Sequence, residues 1–204
     1  MITIVDYGSG NINAITNVYD LLKVPYAIAS KPEELDNADK IILPGVGSFD
    51  YCMNKLNGSG LKEVLNKKVL EEGKSVFGIC IGLHLMMEGS EEGVLRGLGW
   101  IKGNVKKFDV NKLEHKPKIP HMGWNSVEVK SNFKLFSEVE NEIGFYFIHS
   151  YYVEVEDKNV VMTTTNYEEE FVSGVHQNNI SAVQFHPEKS HSNGMKLLKN
   201  FSEL

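Results

Sequence analysis

Ser75-Val76-Phe77-Gly78-Ile79-Cys80-Ile81-Gly82-Leu83-His84 is the stretch on which the reading of this chain turns. The apolar run from Ser75 predicts a strand ending near Ile79, and Leu83 to Glu88 has a helical pattern. Between them the Gly-x-Cys-x-Gly turn forms an elbow that lifts a nucleophile off a sheet edge. A helix N-terminus behind the thiol favours the thiolate and developing negative charge. A free cysteine is more often a small buried residue than a nucleophile. The flanking glycines shift that balance, because a core cysteine needs neither close packing nor unusual backbone angles. The other cysteine, Cys52, has no such setting and reads as core or helix surface.

Outward from this elbow the first half alternates strands and helices. Strands are expected at Ile2–Val5, Tyr26–Ala29, Lys40–Leu43 and Ser75–Ile79, and helices at Asn11–Lys23, Phe49–Leu56, Leu61–Glu72 and Leu83–Glu88. That order predicts an α/β fold, a mostly parallel open sheet with helices on both faces. Chemistry in such sheets sits at the carboxyl ends of the strands, where Asp6-Tyr7-Gly8-Ser9-Gly10, Pro44-Gly45-Val46-Gly47 and Cys80 all fall. The second half reads as closely spaced strands at Ile101–Phe108, Ser126–Val129, Gly144–Ile148, Tyr152–Val155, Val160–Thr165, Phe171–Val175 and Ile180–Gln184. These suggest antiparallel hairpins packed on the parallel core, closed by a helix over Gly194–Phe201. No repeat or long linker divides the chain, so residues 1–204 are expected to form a single domain.

The chain has 204 residues and a formal net charge of −6, which argues against a dedicated nucleic-acid binder. No apolar run reaches the roughly 18 residues of a membrane span. The N-terminus enters strand-like sequence at once, so no leader is expected, and two cysteines fit a reducing, cytoplasmic setting.

His186 and Glu188 share the stiff turn Gln184-Phe185-His186-Pro187-Glu188. A histidine beside a carboxylate supplies a base and its orienter, although a strand-end histidine satisfied by a carbonyl is the plainer reading. Cys80, His186 and Glu188 are the ingredients of covalent acyl transfer by a thiolate. The Pro44-Gly45-Val46-Gly47 turn is either an ordinary strand-to-helix connection or a loop whose backbone N–H groups point at an oxyanion. No metal and no cofactor is expected. His115 and His121 flank a Pro-containing loop without ligand spacing. Lys116 and Lys118 read as solvated, as does Glu168-Glu169-Glu170, and His149, His176 and His191 as structural or surface residues.

Taken together, these motifs resemble the class I glutamine amidotransferases of the Cys-His-Glu type, and among them the glutaminase subunits of imidazole glycerol phosphate synthases. The resemblance runs from Asp6-Tyr7-Gly8-Ser9-Gly10-Asn11 through Pro44-Gly45-Val46-Gly47-Ser48-Phe49, Gly78-Ile79-Cys80, Pro120-His121-Met122-Gly123-Trp124-Asn125 and His149-Ser150-Tyr151-Tyr152 to Gln184-Phe185-His186-Pro187-Glu188-Lys189-Ser190. It implies a flavodoxin-like sheet and a glutaminase, with Cys80 forming a glutamyl thioester and releasing ammonia. It further implies His186 as the proton shuttle, Glu188 as its orienter, and Gly45 and Val46 as the oxyanion hole. Glu92, Ser150 and Tyr151 would bind glutamine. Asn11, Trp124, Tyr146 and Lys189 would face a (β/α)8 cyclase barrel, in a heterodimer serving histidine biosynthesis. The barrel uses the ammonia to make imidazole glycerol phosphate and an aminoimidazole carboxamide ribonucleotide.

One position departs from that pattern. Relatives carry glutamine four residues after the nucleophile, where it holds the substrate; here that residue is His84. His84 can make one hydrogen bond but cannot present an amide's paired groups. A Tyr-Gly turn is also replaced, by Asn166-Tyr167-Glu168. The main alternative is a paralogous subunit supplying ammonia for amidation of surface-polysaccharide sugars. A non-catalytic scaffold is disfavoured by Cys80, His186 and Glu188, and a stand-alone cysteine hydrolase by the residues of the docking face.

Overall fold

The computed structural model describes residues 1–109, 119–130, 133–140, 142–167 and 169–204. His115, Lys116, Lys118 and Glu168 lie outside the described residues. Four parallel strands open the chain: β1 (Ile2–Val5), β2 (Tyr26–Ala29), β3 (Lys40–Leu43) and β4 (Ser75–Ile79). All four coincide with the ranges expected from the apolar runs. They run in the order β2-β1-β3-β4, and β13 (Ile180–Val183) joins β4 in parallel.

The order reverses between β1 and β3, and right-handed crossovers therefore send successive helices to opposite faces. Helix α1 (Ile12–Leu22) buries Ile15, Val18 and Tyr19 and ends at Lys23 in the left-handed region, φ 55°. It packs against α5 (His191–Glu203), the closing helix, which buries Leu197, Leu198 and Phe201. Helices α2 (Phe49–Gly58) and α3 (Leu61–Asn66) follow β3. The helix expected over Leu61–Glu72 changes pitch at Lys67, where a π-turn over Lys67–Glu71 takes over. Buried Lys68 holds that turn through the Asp36 carbonyl at 2.8 Å and Glu72 at 3.0 Å. Phe77 and Phe185 are fully buried, each worth about 2–3 kcal/mol of apolar transfer. They fix β4 and the end of β13, the two strands that carry the candidate chemistry.

The second half adds β5 (Gly89–Ser90), β6 (Gly103–Lys107), β7 (His121–Asn125), β8 (Glu128–Val129), β9 (Phe145–His149), β10 (Tyr151–Val155), β11 (Val161–Tyr167) and β12 (Glu169–Gln177). Antiparallel strands are present as expected, but most extend the parallel sheet instead of packing on it. Beyond β13 the sheet continues β12-β10-β6-β5, with β11 and β8 branching from β12. A separate two-stranded sheet pairs β7 with β9. β7 is not among the strands expected from the sequence, because Met122 and Trp124 point to solvent while Gly123 interrupts the alternation. No helix among the described residues is long and apolar enough to cross a membrane.

Candidate active site

The elbow is built by close packing. Cys80 sits between β4 and α4 (Ile81–Leu85), with φ 53° and ψ −108°. A non-glycine residue held there stores roughly 1–3 kcal/mol of backbone strain. The neighbouring glycines are needed for space, and the unusual angles belong to the cysteine itself. A Cβ on Gly82 would collide with the Leu43 carbonyl, and one on Gly78 would come within 2.8 Å of Met86 Cε and 2.9 Å of Ala182 Cβ. Helix α4 is a little over one turn long, so its contribution at Cys80 is the free N–H groups of that turn more than a long dipole.

Register brings the distant residues together. β13 and β4 are parallel with Val183 opposite Ile79, and the Cys80 N–H donates to the Val183 carbonyl at 2.8 Å. Gln184 thus emerges beside Cys80, and His186 follows two residues later. The His186 ring lines the same cavity as Cys80 and, through Nδ1, meets Glu188 Oε1 at 2.7 Å. With the carboxylate accepting, Nδ1 carries a proton and Nε2 is left for the sulfur. Burial disfavours the imidazolium, but the charge and hydrogen bond of Cys80, then those of Glu188, outweigh it and push His186 up to about 10.

The turn that carries the histidine is itself held. Ser190 Oγ donates to the His186 carbonyl at 2.6 Å, and the His186 N–H donates to the Tyr146 carbonyl at 2.9 Å. A Cβ on Gly194 would strike the Pro187 carbonyl, so α5 presses directly on the turn. The Glu188 side chain is 1% exposed. Asn11 Nδ2 donates to Glu188 Oε1 at 3.4 Å, while buried Oε2 has no partner. Asn11, expected at the docking face, thus also reaches the carboxylate of this turn.

His84 lies one helical turn beyond Cys80 and is buried. Its Nε2 is 2.8 Å from Gln184 Oε1, and Nδ1 has no partner among the described residues. Burial lowers its pKa to about 4 against the opposing Gln184 hydrogen bond, so the ring is neutral. Gln184 Nε2 in turn donates to Cys80 Sγ at 3.8 Å.

A cavity of about 300 Å³ opens over Cys80, at the lower end of the usual ligand-pocket range. Gly47, His84, Glu92, Ser150 and Tyr151 are among its walls, with Val46 and His186. Glu92 Oε2 accepts from the Phe49 N–H at 2.8 Å at the start of α2. Gly45 lies against the elbow, since a Cβ there would fall 2.8 Å from Ile81 Cβ and 2.9 Å from the Gly82 nitrogen. The Val46 N–H donates to Ser9 Oγ at 3.2 Å, and Ser9 Oγ donates to the Val46 carbonyl at 2.6 Å. An oxyanion contact from Val46 therefore requires that this N–H leave Ser9.

Trp124, Tyr146 and Lys189 cluster beside the His186 turn. The half-exposed Trp124 stacks on His191 at 5.2 Å and meets Tyr146 edge-on at 6.4 Å. Lys189 Nζ lies 5.9 Å from the Tyr146 ring centre. Exposed Met122 and Ile148 belong to the same two strands.

Three contributors escaped the sequence reading. His149 lines the cavity; its Nδ1 faces the Tyr151 carbonyl at 2.8 Å and its Nε2 faces His121 Nδ1 at 2.9 Å. Burial, then the charge of His121, holds His149 well below the usual imidazole range. Ser9 and Gln184 are the others. Only the parallel register of β4 and β13 signals Gln184, and that register is not visible in one strand alone.

A family model described as glutamine amidotransferase class-I matches residues 3–203. The chain is 50% identical over 201 residues to the imidazole glycerol phosphate synthase subunit HisH 2 of Methanococcus maripaludis, covering 98% of each chain. It is 47% identical over 205 residues to the HisH subunit of Bdellovibrio bacteriovorus, and 40% over 204 residues to HisH 2 of Pseudomonas aeruginosa, covering both relatives and itself in full. Among solved structures, a putative GMP synthase protein from Thermoplasma acidophilum superposes with a TM-score of 0.70 at 22% identity, covering 99% of this chain and 92% of the other. PurLQS from Thermotoga maritima gives 0.68 at 19%, with coverage of 99% and 96%. Those two likenesses concern the fold. Matched along nearly its whole length by the family model and by relatives of this identity, the chain belongs to the class-I glutamine amidotransferases.

Proposed function

We propose that this chain is the glutaminase subunit of an imidazole glycerol phosphate synthase. The observation that carries the chemistry is the buried run Cys80–His186–Glu188 at the floor of a cavity. The Cys80 thiolate attacks the side-chain amide carbon of glutamine. The imidazolium of His186 gives its Nε2 proton to the departing nitrogen, and ammonia leaves a glutamyl thioester. His186, now neutral, takes a proton from water as it attacks the thioester, and glutamate and the thiolate are regenerated. Glu188 keeps the ring in the tautomer that faces sulfur. Gly45 and Val46 supply oxyanion donors, and Glu92, His84, Ser150 and Tyr151 hold the substrate.

Ammonia made in the cavity over Cys80 needs a consumer close by. The aromatic and cationic cluster of Trp124, Tyr146 and Lys189, with Asn11 on the other side of the turn, supports docking of a (β/α)8 cyclase subunit there. The heterodimer converts a ribulosyl nucleotide to imidazole glycerol phosphate and an aminoimidazole carboxamide ribonucleotide for histidine biosynthesis. We place it in the cytoplasm and read residues 1–204 as one amidotransferase domain.

A second reading keeps the chemistry and changes the consumer, in favour of sugar amidation. His84, in place of the glutamine of the resembled family, is the observation that favours it. The deciding experiment measures glutamine hydrolysis by the chain alone, with a histidine-pathway cyclase barrel, and with barrel plus its nucleotide. Strong stimulation by barrel and nucleotide supports the histidine pathway. No stimulation by the barrel of the same organism, with Cys80 reactive, moves the assignment to the other consumer.

A further inference from the structure

We infer that Gln184 is a positioning residue for the thiolate, its amide N–H aimed at Cys80 Sγ and locked in that orientation by the His84 ring. The inference rests on the glutaminase reading and adds a second support for the sulfur besides His186.

In the structure the amide presents its nitrogen to the sulfur and its oxygen to His84. Gln184 is fully buried, with Nε2 3.8 Å from Cys80 Sγ and Oε1 2.8 Å from His84 Nε2. An amide has one donor end and one acceptor end. Turned the other way, Gln184 would aim its carbonyl oxygen at the sulfur and repel the thiolate. A neutral His84 with its proton on Nε2 donates to Oε1 and excludes that orientation. Gln184 cannot drift, because its own N–H donates to the Ser173 carbonyl at 2.9 Å. The arrangement has a cost, the buried His84 Nδ1 without a partner. A cavity-lining histidine that leaves one nitrogen unpaired while committing the other to Gln184 fits a ring placed for the sake of that amide.

Thiolate reactivity reads this out without any partner subunit. Other titratable groups around the sulfur are His186 with Glu188 behind it, His149 on β9, Tyr7 after β1, Cys52 on α2 and Glu92 at the cavity wall. All of these stay in place when Gln184 is changed. The experiment follows iodoacetamide alkylation of Cys80 against pH by peptide mass spectrometry, in the full chain. Gln184→Leu removes the donor at similar size, and Gln184→Glu keeps the shape should the leucine variant not fold.

In both variants the alkylation midpoint is expected to rise by about one pH unit, with about tenfold slower alkylation below it. The kcat of the partner-stimulated enzyme should fall by a similar factor, with KM changed less than about twofold. His84→Leu should move the midpoint the same way by less, and adding it to Gln184→Leu should move it no further, since it acts through the amide. An unmoved midpoint in Gln184→Leu or Gln184→Glu, or additive shifts in the double variant, overturns the inference. An ordinary free-thiol profile in the unmodified chain overturns the glutaminase reading and this inference with it.

Discussion

Two histidines lie near one sulfur, and their surroundings make one a cation and leave the other neutral. On the β13 side, His186 is held between Cys80 and Glu188 and pushed up to about 10. On the α4 side, His84 meets only an uncharged amide, and burial takes it down to about 4. Both rings are buried, so burial alone does not set the charge. The difference is whether a buried imidazole has an anion to face. The proposed roles follow this difference, His186 moving protons and His84 orienting Gln184 without competing for them.

The most drastic way to break this contrast is to remove the sulfur. Cys80→Ala is expected to abolish glutamine hydrolysis, a loss of about four or more orders of magnitude, with an unchanged circular dichroism spectrum. Activity near the unmodified level would remove Cys80 from the nucleophile role. The same variant tests the cause of the His186 shift. With the anion gone, burial and Glu188 remain, and an NMR titration should find the His186 midpoint well below its value in the unmodified chain. His84 faces Gln184, so its midpoint should not rise. Next in size, His186→Asn leaves a thiol without its base, and turnover should fall by about 10³-fold. A loss under tenfold would assign the proton transfers elsewhere.

Acid stability sharpens the contrast from the other side. The His84 midpoint is depressed from 6.5 to about 4, so the unfolded chain takes up a proton that the folded one refuses. The stability this histidine contributes is present above about pH 6.5 and is lost as pH falls toward 4. Between pH 7 and pH 5 the loss amounts to about 2 kcal/mol. Urea unfolding at the two pH values should show it in the unmodified chain and a correspondingly smaller loss in His84→Gln. His186 has the opposite sign. Its raised midpoint gives stability that is complete below 6.5 and disappears as pH rises toward 10. Equal acid losses in the unmodified chain and His84→Gln would mean that His84 is not held neutral.

The same division explains what was legible in the sequence. The strands β1 to β4 matched their expected ranges, because a strand buried on both faces is a continuous apolar run, as in Lys40–Leu43 and Ser75–Ile79. The pairing within the His186-Pro187-Glu188 turn was legible because histidine and carboxylate lie two residues apart. By contrast, β7 hid behind exposed Met122 and Trp124 and the interrupting Gly123. Gln184 and His84 sit 100 positions apart and meet only through the register of β4 with β13. Ser9 meets Val46 through a loop contact 37 positions away, which no periodicity marks. Local chemistry and burial patterns are written in short stretches; contacts made by sheet order are not.

The smallest expected effect concerns what His84 withholds from substrate. Its Nε2 is committed to Gln184, so only Nδ1 remains, and in the neutral tautomer that nitrogen accepts and does not donate. A glutamine here could donate one N–H to Gln184 Oε1 and still present a second N–H and an oxygen toward the cavity. His84→Gln should therefore lower the KM for glutamine through one recovered neutral hydrogen bond, about 0.5–1.5 kcal/mol or roughly two- to tenfold. The Cys80 alkylation profile should hardly move, because the Gln184 orientation is kept. Steady-state kinetics with the partner subunit, beside alkylation of the isolated chain, separate the two roles. An unchanged or raised KM would leave His84 with Gln184 as its whole purpose, and the substrate would then be held by the Glu92, Ser150 and Tyr151 walls.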